Sequence, residues 1–358
     1  MDVVEAGNAI EYLRRRGLLS PEEAADAVPL AWGVSNVVIR IRRRSGPDWV
    51  LKQSREQLRT KQLWVSRLDR IYREVEALQV CGELLGPEVV PTVIDEDRSN
   101  YLFLMSAAPA DHKVWKEQLL AGEIDPAIAE RLGTILARLH RLTAGRSDLA
   151  EQWNDLTVFD ELRIDPFYRR VAAARPEMTD RLQELIAEMS RTRVSLVHAD
   201  FSPKNVLIHD PGLTLVDYET AHWGDPAFDL GFFLSHLLLK AIKHRARLSA
   251  FRTLTDRFWS AYWQELGRSE LEPTMQSPQL LIRGQKHLAA CLWSRIDGKS
   301  TIDYLPLEEE QQAARTFARK LLIQPDRTWA ETWQELEQAI GRAGLTSETA
   351  DRKPASRC

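Results

Sequence analysis

His198-Ala199-Asp200-Phe201-Ser202-Pro203-Lys204-Asn205, followed after eleven residues by Asp217-Tyr218-Glu219, decides the reading of this chain. The surroundings read as short strands joined by tight turns. Ser195 to Val197 is a brief apolar run entering the loop, and residues 205–208 form a second strand. His209-Asp210-Pro211-Gly212 is a turn by its Asp-Pro-Gly chemistry, and residues 213–216 are a third strand ending at Asp217. Asp200 and Asp217 therefore fall at strand ends, where side chains can converge. Asp217 and Asn205 offer the oxygen atoms that a hard cation such as Mg²⁺ prefers. A plain hairpin with polar loops would explain a lone His-x-Asp, but not this whole set at this spacing.

The spacing has a counterpart. Asp200 and Asn205 are five apart, as are the catalytic Asp and the metal-binding Asn of the protein-kinase signature. Asp217 follows where a kinase keeps its main magnesium ligand. The segment resembles the aminoglycoside phosphotransferase and choline kinase superfamily, the protein-kinase-like kinases of small molecules. Their usual His-Gly-Asp-x-x-x-x-Asn, Asp-x-Glu and Asp-Pro-x-x-Asp-Leu stand here as His198 to Asn205, Asp217 to Glu219 and Asp225 to Leu230. Ala199 replaces the commoner glycine, and the expectation is a negative φ that alanine tolerates. The resemblance implies ATP- and Mg²⁺-dependent phosphorylation of a hydroxyl on a small molecule. It makes Asp200 the catalytic base and Asn205 and Asp217 the metal ligands, with Glu219 assisting the metal or binding a water. It gives Asp229 and His198 scaffold roles. Such chemistry needs in-line positioning and charge compensation more than covalent help.

The same resemblance asks for a small amino-terminal lobe with a phosphate-covering loop, a lysine and a helix glutamate. Trp32-Gly33-Val34-Ser35-Asn36 precedes an apolar–basic alternation, a Ser45-Gly46-Pro47-Asp48 turn and a returning strand that reaches Lys52. Gly33 and Asn36 thus fall in the nucleotide loop and Lys52 at the phosphates. Glu74 is the expected partner of Lys52, with Glu76 its rival on the helix that carries Ile71, Val75, Leu78 and Leu85 on one face. The basic, Trp64-containing stretch between Lys52 and that helix is similar to one in methylthioribose kinases. A second hairpin, 91–96 and 101–106, ends at Met105, where the resemblance places the adenine-binding hinge.

Asp125-Pro126 and Asp225-Pro226 are helix starts with a cap and a first-turn proline. The helix after Asp225 is apolar on most faces and should be buried. Phe258, Trp259, Tyr262 and Trp263 read as core packing rather than a cage for a quaternary ammonium. Trp293 to Ser300 reads as a polar turn, with Arg295 and Asp297 as a surface ion pair or as contacts to substrate. Arg40 to Arg44 reads as a solvated strand face.

At 358 residues, with 48 Lys and Arg against 52 Asp and Glu, the chain suits two lobes and gives no reason to expect nucleic acid as a partner. Three cysteines form neither a disulfide framework nor a zinc site. With no secretory signal and no apolar run of membrane-spanning length, the cytoplasm is the expected compartment. The expected fold is α+β and two-lobed: residues 1–106 as a nucleotide lobe of antiparallel sheet, 107–343 as a mainly helical catalytic lobe, and 344–358 as a frayed tail. The alternatives are a catalytically silent nucleotide binder of the same fold and a methylthioribose-type sugar kinase.

Overall fold

A computed structural model describes residues 2–30, 36–57, 65–268, 275–276 and 278–345. Gly33, Trp64, Cys358 and the tail beyond Leu345 lie outside the described residues. The chain forms two compact units. Met1–Trp115 with Lys204–Ala221 make the first, and Lys116–Pro203 with His222–Cys358 make the second.

The first unit is built on a five-stranded antiparallel sheet in the order β1-β2-β3-β5-β4. Its strands are β1 (Ala25–Pro29), β2 (Asn36–Arg43), β3 (Trp49–Ser54), β4 (Val93–Asp97) and β5 (Leu102–Ser106). Alternation in β2 and β3 sends Ile39, Ile41 and Leu51 to one face. There they pack on Tyr12 and Leu13 of a short helix, Ala9–Arg15. The register pairs Lys52 with Val38 on one side and Phe103 on the other, so the lysine stands in a central strand. The Arg70–Leu85 helix carries Glu74. A three-stranded sheet of β6 (Lys113–Val114), β8 (Val206–His209) and β9 (Gly212–Leu215) completes the unit.

β1 and the first helix went unread in the sequence, and β1 changes the fate of the basic run. Val28 pairs with Arg40, and Arg40 is buried, with Nε 2.7 Å from the Asp48 carboxylate and Nη2 donating to the Ala108 carbonyl at 3.1 Å. Arg43 lies over the Trp49 ring, 3.7 Å from its centroid, and pairs with Glu23 at 2.7 Å. The solvated-face reading of 40–44 is thus corrected for these two arginines. A partner strand covers them, and acidic residues on neighbouring loops satisfy them.

The second unit is mainly helical. Asp125 and Asp225 cap their helices, Pro126–Thr143 and Pro226–Lys243, each accepting from the amide two residues on. The second of these helices is buried along nearly its whole length and packs on the helix Gln279–Asp297. Gly231 makes that contact close: a Cβ there would stand 2.4 Å from the Leu288 nitrogen. The helix Leu248–Leu266 buries Phe258, Trp259 and Tyr262, as core packing requires. β7 (Ser195–Val197) leads into the His198 loop and pairs antiparallel with β10 (His222–Gly224), which precedes the Asp225 cap. Among the described residues, no helix is long and apolar enough to cross a membrane.

Candidate functional site

The first unit gathers Lys52, Glu74, Asp217 and Glu219. Lys52 Nζ lies 2.6 Å from one Glu74 oxygen and 2.8 Å from the other, and 2.9 Å from Asp217 Oδ1. Glu76 points elsewhere, 3.9 Å from Arg98. The second Asp217 oxygen is 3.8 Å from Lys204 Nζ. Glu219 is held by Asn36 Nδ2 at 3.1 Å and by Arg70 Nε at 3.2 Å. Arg70 was missed in the sequence. It stands four residues before Glu74 on the helix, and its guanidinium reaches Glu219 and Asn36.

Burial and like charge act together on these groups. Burial, reinforced by Asp217 and Glu219, raises the Glu74 pKa against the pull of Lys52. Burial alone would lower Lys52, but Asp217, Glu74 and Glu219 outweigh it and hold the ammonium above the ordinary lysine value. Ligand oxygens of Glu74, Asp217 and Glu219 all lie within 4.8 Å of one another. Three carboxylates face the two cations Lys52 and Arg70, and Asp217 is the most exposed of the three. A hard divalent cation fits this donor set. Asn205 is buried at the start of β8, and its carbonyl accepts from the Val216 amide at 3.0 Å, which ties it to the strand entering Asp217. Asp217 has a φ of 73°, a region that Asp tolerates better than most residues. Met105 is a buried residue of β5 opposite Val50, and the next two amides are occupied within the unit: Ser106 donates to Thr92 and Ala107 to Asp48.

The second unit holds Asp200 in a braced loop. Asp229 accepts from the amides of His198 and Ala199, both at 2.8 Å, and lies 3.2 Å from His140 Nε2, whose Nδ1 is 2.9 Å from the Tyr262 hydroxyl. All three residues of the Asp229–His140–Tyr262 chain are fully buried. Burial raises the Asp229 pKa, and its hydrogen bonds and the charges of His140 and His198 bring it below the usual value. Arg163, also missed in the sequence, donates through Nε to the Ala199 carbonyl and through Nη2 to Asp200 Oδ1, both at 2.7 Å. It comes from a π-helical stretch, Asp160–Arg169, that no simple periodicity announces.

Ala199 has a φ of 58°, not the negative value expected. Two amides aimed at one carboxylate impose the left-handed turn that glycine takes freely. Ala199→Gly is therefore expected to stabilise the fold by up to about 1 kcal/mol, after allowing for the freedom glycine adds to the unfolded chain. A urea midpoint that rises would show it; one that falls would mean the buried methyl contributes more than the turn costs.

Arg295 and Asp297 also need correcting. The helix runs through both, ending at Gly298, so there is no polar turn at Trp293. They do not pair with each other. Asp297 takes Arg175 at 2.8 Å, Arg315 at 3.1 Å and the Trp293 indole at 2.9 Å. Arg295 turns inward and is buried.

A model of the phosphotransferase enzyme family matches residues 26–268. Methylthioribose kinase of Pectobacterium atrosepticum is 26 % identical over 312 residues, covering 75 % of this chain and 77 % of that protein. The Yersinia enterocolitica methylthioribose kinase is 26 % identical over 264 residues, and the chain spans 65 % of its length. A choline kinase structure from Cryptosporidium parvum superposes with a TM-score of 0.51 at 10 % identity, over 97 % of this chain and 99 % of that one, which is a likeness of fold. By a match over more than half its length, this chain belongs to the phosphotransferase enzyme family.

Proposed function

We propose that the chain is an ATP- and Mg²⁺-dependent phosphotransferase acting on a hydroxyl of a small molecule. The observation that carries this reading is the Lys52 ammonium bonded to both Glu74 and Asp217, beside Glu219. Glu74 fixes Lys52, and Lys52 binds the nucleotide phosphates. Asp217 and Asn205 serve as metal ligands, and Glu219 supports them, itself positioned by Asn36 and Arg70. Bound Mg²⁺ supplies charge compensation for the phosphates. The adenine sits at the strand end at Met105, against backbone groups other than the Ser106 and Ala107 amides, which are used within the unit, and Gly33 belongs to the loop over the phosphates. Asp200 orients the acceptor hydroxyl and takes its proton late, as the new oxygen–phosphorus bond forms and the bond to departing ADP breaks. The sequence relatives favour a methylthioribose-type sugar as a second, narrower reading. The alternative remains a nucleotide binder without turnover.

The test is a thermal shift with Mg·ATP followed by a screen of hydroxyl-bearing acceptors for ADP release. Stabilisation by Mg·ATP is expected, since a ligand bound only to the folded state raises Tm. Asp217→Asn removes one ligand charge and should weaken Mg²⁺-dependent ATP binding by about 10-fold or more. Unchanged binding in that variant would overturn the metal assignment.

A further inference from the structure

Within the second unit, Arg163 pairs with Asp200, Arg295 shares two aromatic rings with Arg163, and Lys240 lies in reach of the Arg295 charge. The two guanidinium groups lie over the same two rings. Arg163 Cζ is 5.6 and 5.4 Å from the Phe167 and Phe232 centroids, and Arg295 Cζ is 4.9 and 5.6 Å from them. Arg295 bonds the Ser300 carbonyl and hydroxyl at 3.0 and 2.8 Å, and its Nη2 is 3.3 Å from His236 Nε2. Lys240, one helical turn past His236, is 1 % exposed and donates to the His236 carbonyl at 3.1 Å. Its Nζ is 5.3 Å from the centre of the Tyr304 ring.

The charges do not balance. Among the described residues, Asp200 is the only carboxylate within ion-pairing distance of any of the three, and it pairs with Arg163 alone. Arg295 and Lys240 have no such partner. Burial, with Lys116 and Arg295 adding repulsion, pushes Lys240 down to about 7. Burial and then Arg163 lower Arg295. Two polar atoms also stand unbonded inside this group: Nε of Arg295, which is 8 % exposed, and the Tyr304 hydroxyl. Uncompensated buried cations are costly unless something anionic joins them. A cationic acceptor such as an aminoglycoside or choline would meet repulsion here.

We propose that the acceptor carries an anionic group, a carboxylate or a phosphate ester, in addition to its hydroxyl, and that Arg295, backed by Lys240, binds that group while Asp200 addresses the hydroxyl. This rests on the phosphotransferase reading. It departs from the neutral sugar named for the methylthioribose kinases, and it commits the site to hydroxy acids or sugar phosphates.

The test uses the full chain with Mg·ATP and four acceptors: D-ribose, D-ribonate, D-ribose 5-phosphate and kanamycin. In parallel, thermal shifts are measured with inorganic phosphate and with malonate. The anionic probes should stabilise the protein, and ADP release should favour ribonate or ribose 5-phosphate; which of the two leads tells carboxylate from phosphate. Arg295→Met should raise the acceptor KM, or the apparent Kd for the anion, by about 10- to 100-fold with the KM for ATP unchanged. Arg295→Lys should recover part of the loss. Lys240→Met removes a buried charge, should fold at least as well as the parent, and should weaken the same anions. Turnover of ribose or kanamycin over both anionic acceptors, or no anion-dependent shift and no effect of either variant, overturns the proposal. The Mg·ATP shift is read separately: its presence beside a failed anion test leaves the phosphotransferase reading standing, and its absence removes that reading itself.

Discussion

Asp200→Asn should lower kcat by about 10²- to 10⁴-fold while leaving Mg·ATP affinity nearly unchanged. The substitution is close to isosteric. Asp200 is 3 % exposed, and its Oδ1 accepts from Arg163 Nη2 at 2.7 Å. The asparagine oxygen can accept the same bond. The loop is braced at His198 and Ala199 by Asp229, which the change leaves alone. Removing the carboxylate charge beside the buried Arg163 should still cost about 3 kcal/mol of stability, so both measurements are made where the variant is folded. What disappears is the capacity to take a proton from the attacking hydroxyl. Single-turnover rates and ATP titrations on the same preparation separate the two effects. Retention of full turnover in the variant would remove Asp200 as base, and a loss confined to ATP binding would place the residue in the nucleotide site instead.

What the sequence made legible follows from where the information sits. The His198–Glu219 pattern is local: its residues lie on consecutive short strands and turns, so spacing alone carries it. The proline-marked caps at Asp125 and Asp225 are local too, and both helices begin where those signals fall. The fold class came from the family resemblance that the first pattern carries. The missed parts are set by distant partners. β1 is a short edge strand whose residues alternate weakly, and only its pairing with β2 buries Arg40. Arg70 resembles a surface helix residue until Glu219, far along the chain, supplies its partner. Arg163 lies in a π-helical stretch, and Arg295 in the last turn of a helix that runs on to Asp297. Neither position shows in helical periodicity. The sign of φ at Ala199 depends on Asp229, thirty residues on, drawing two successive amides to itself.

Lys52→Met should cost about 3–5 kcal/mol of stability near pH 8 at low Mg²⁺, and less in acid. The substitution keeps the stem's volume and removes the ammonium from Glu74 and Asp217. Glu74 is fully buried, and its oxygens lie within 4.8 Å of those of Asp217 and Glu219. Without Lys52, Arg70 and the more exposed Lys204 remain to offset three carboxylates. The sign of the pH effect follows from proton counting. Glu74 already has a raised pKa in the folded protein, so the native state binds more protons than the unfolded one above the ordinary glutamate value. Stability then falls as pH rises through that window. Removing Lys52 takes away the charge that lowers Glu74, so the window extends upward and the slope steepens, by up to about 1.4 kcal/mol per pH unit for one proton. Lys52 acts oppositely. Its raised pKa contributes stability that is complete below the ordinary lysine value and is lost only above it. Wild type should thus slope only up to about pH 7, where Glu74 titrates, and flatten above it while the variant still slopes. Millimolar Mg²⁺ should recover more stability in the variant than in wild type, because the cation meets carboxylates no longer occupied by an ammonium. Urea midpoints at about pH 5.5, 7 and 8.5, with and without Mg²⁺, measure all of this. A variant as stable as the parent at every pH, and indifferent to Mg²⁺, would show that these carboxylates neither strain one another nor form a cation site.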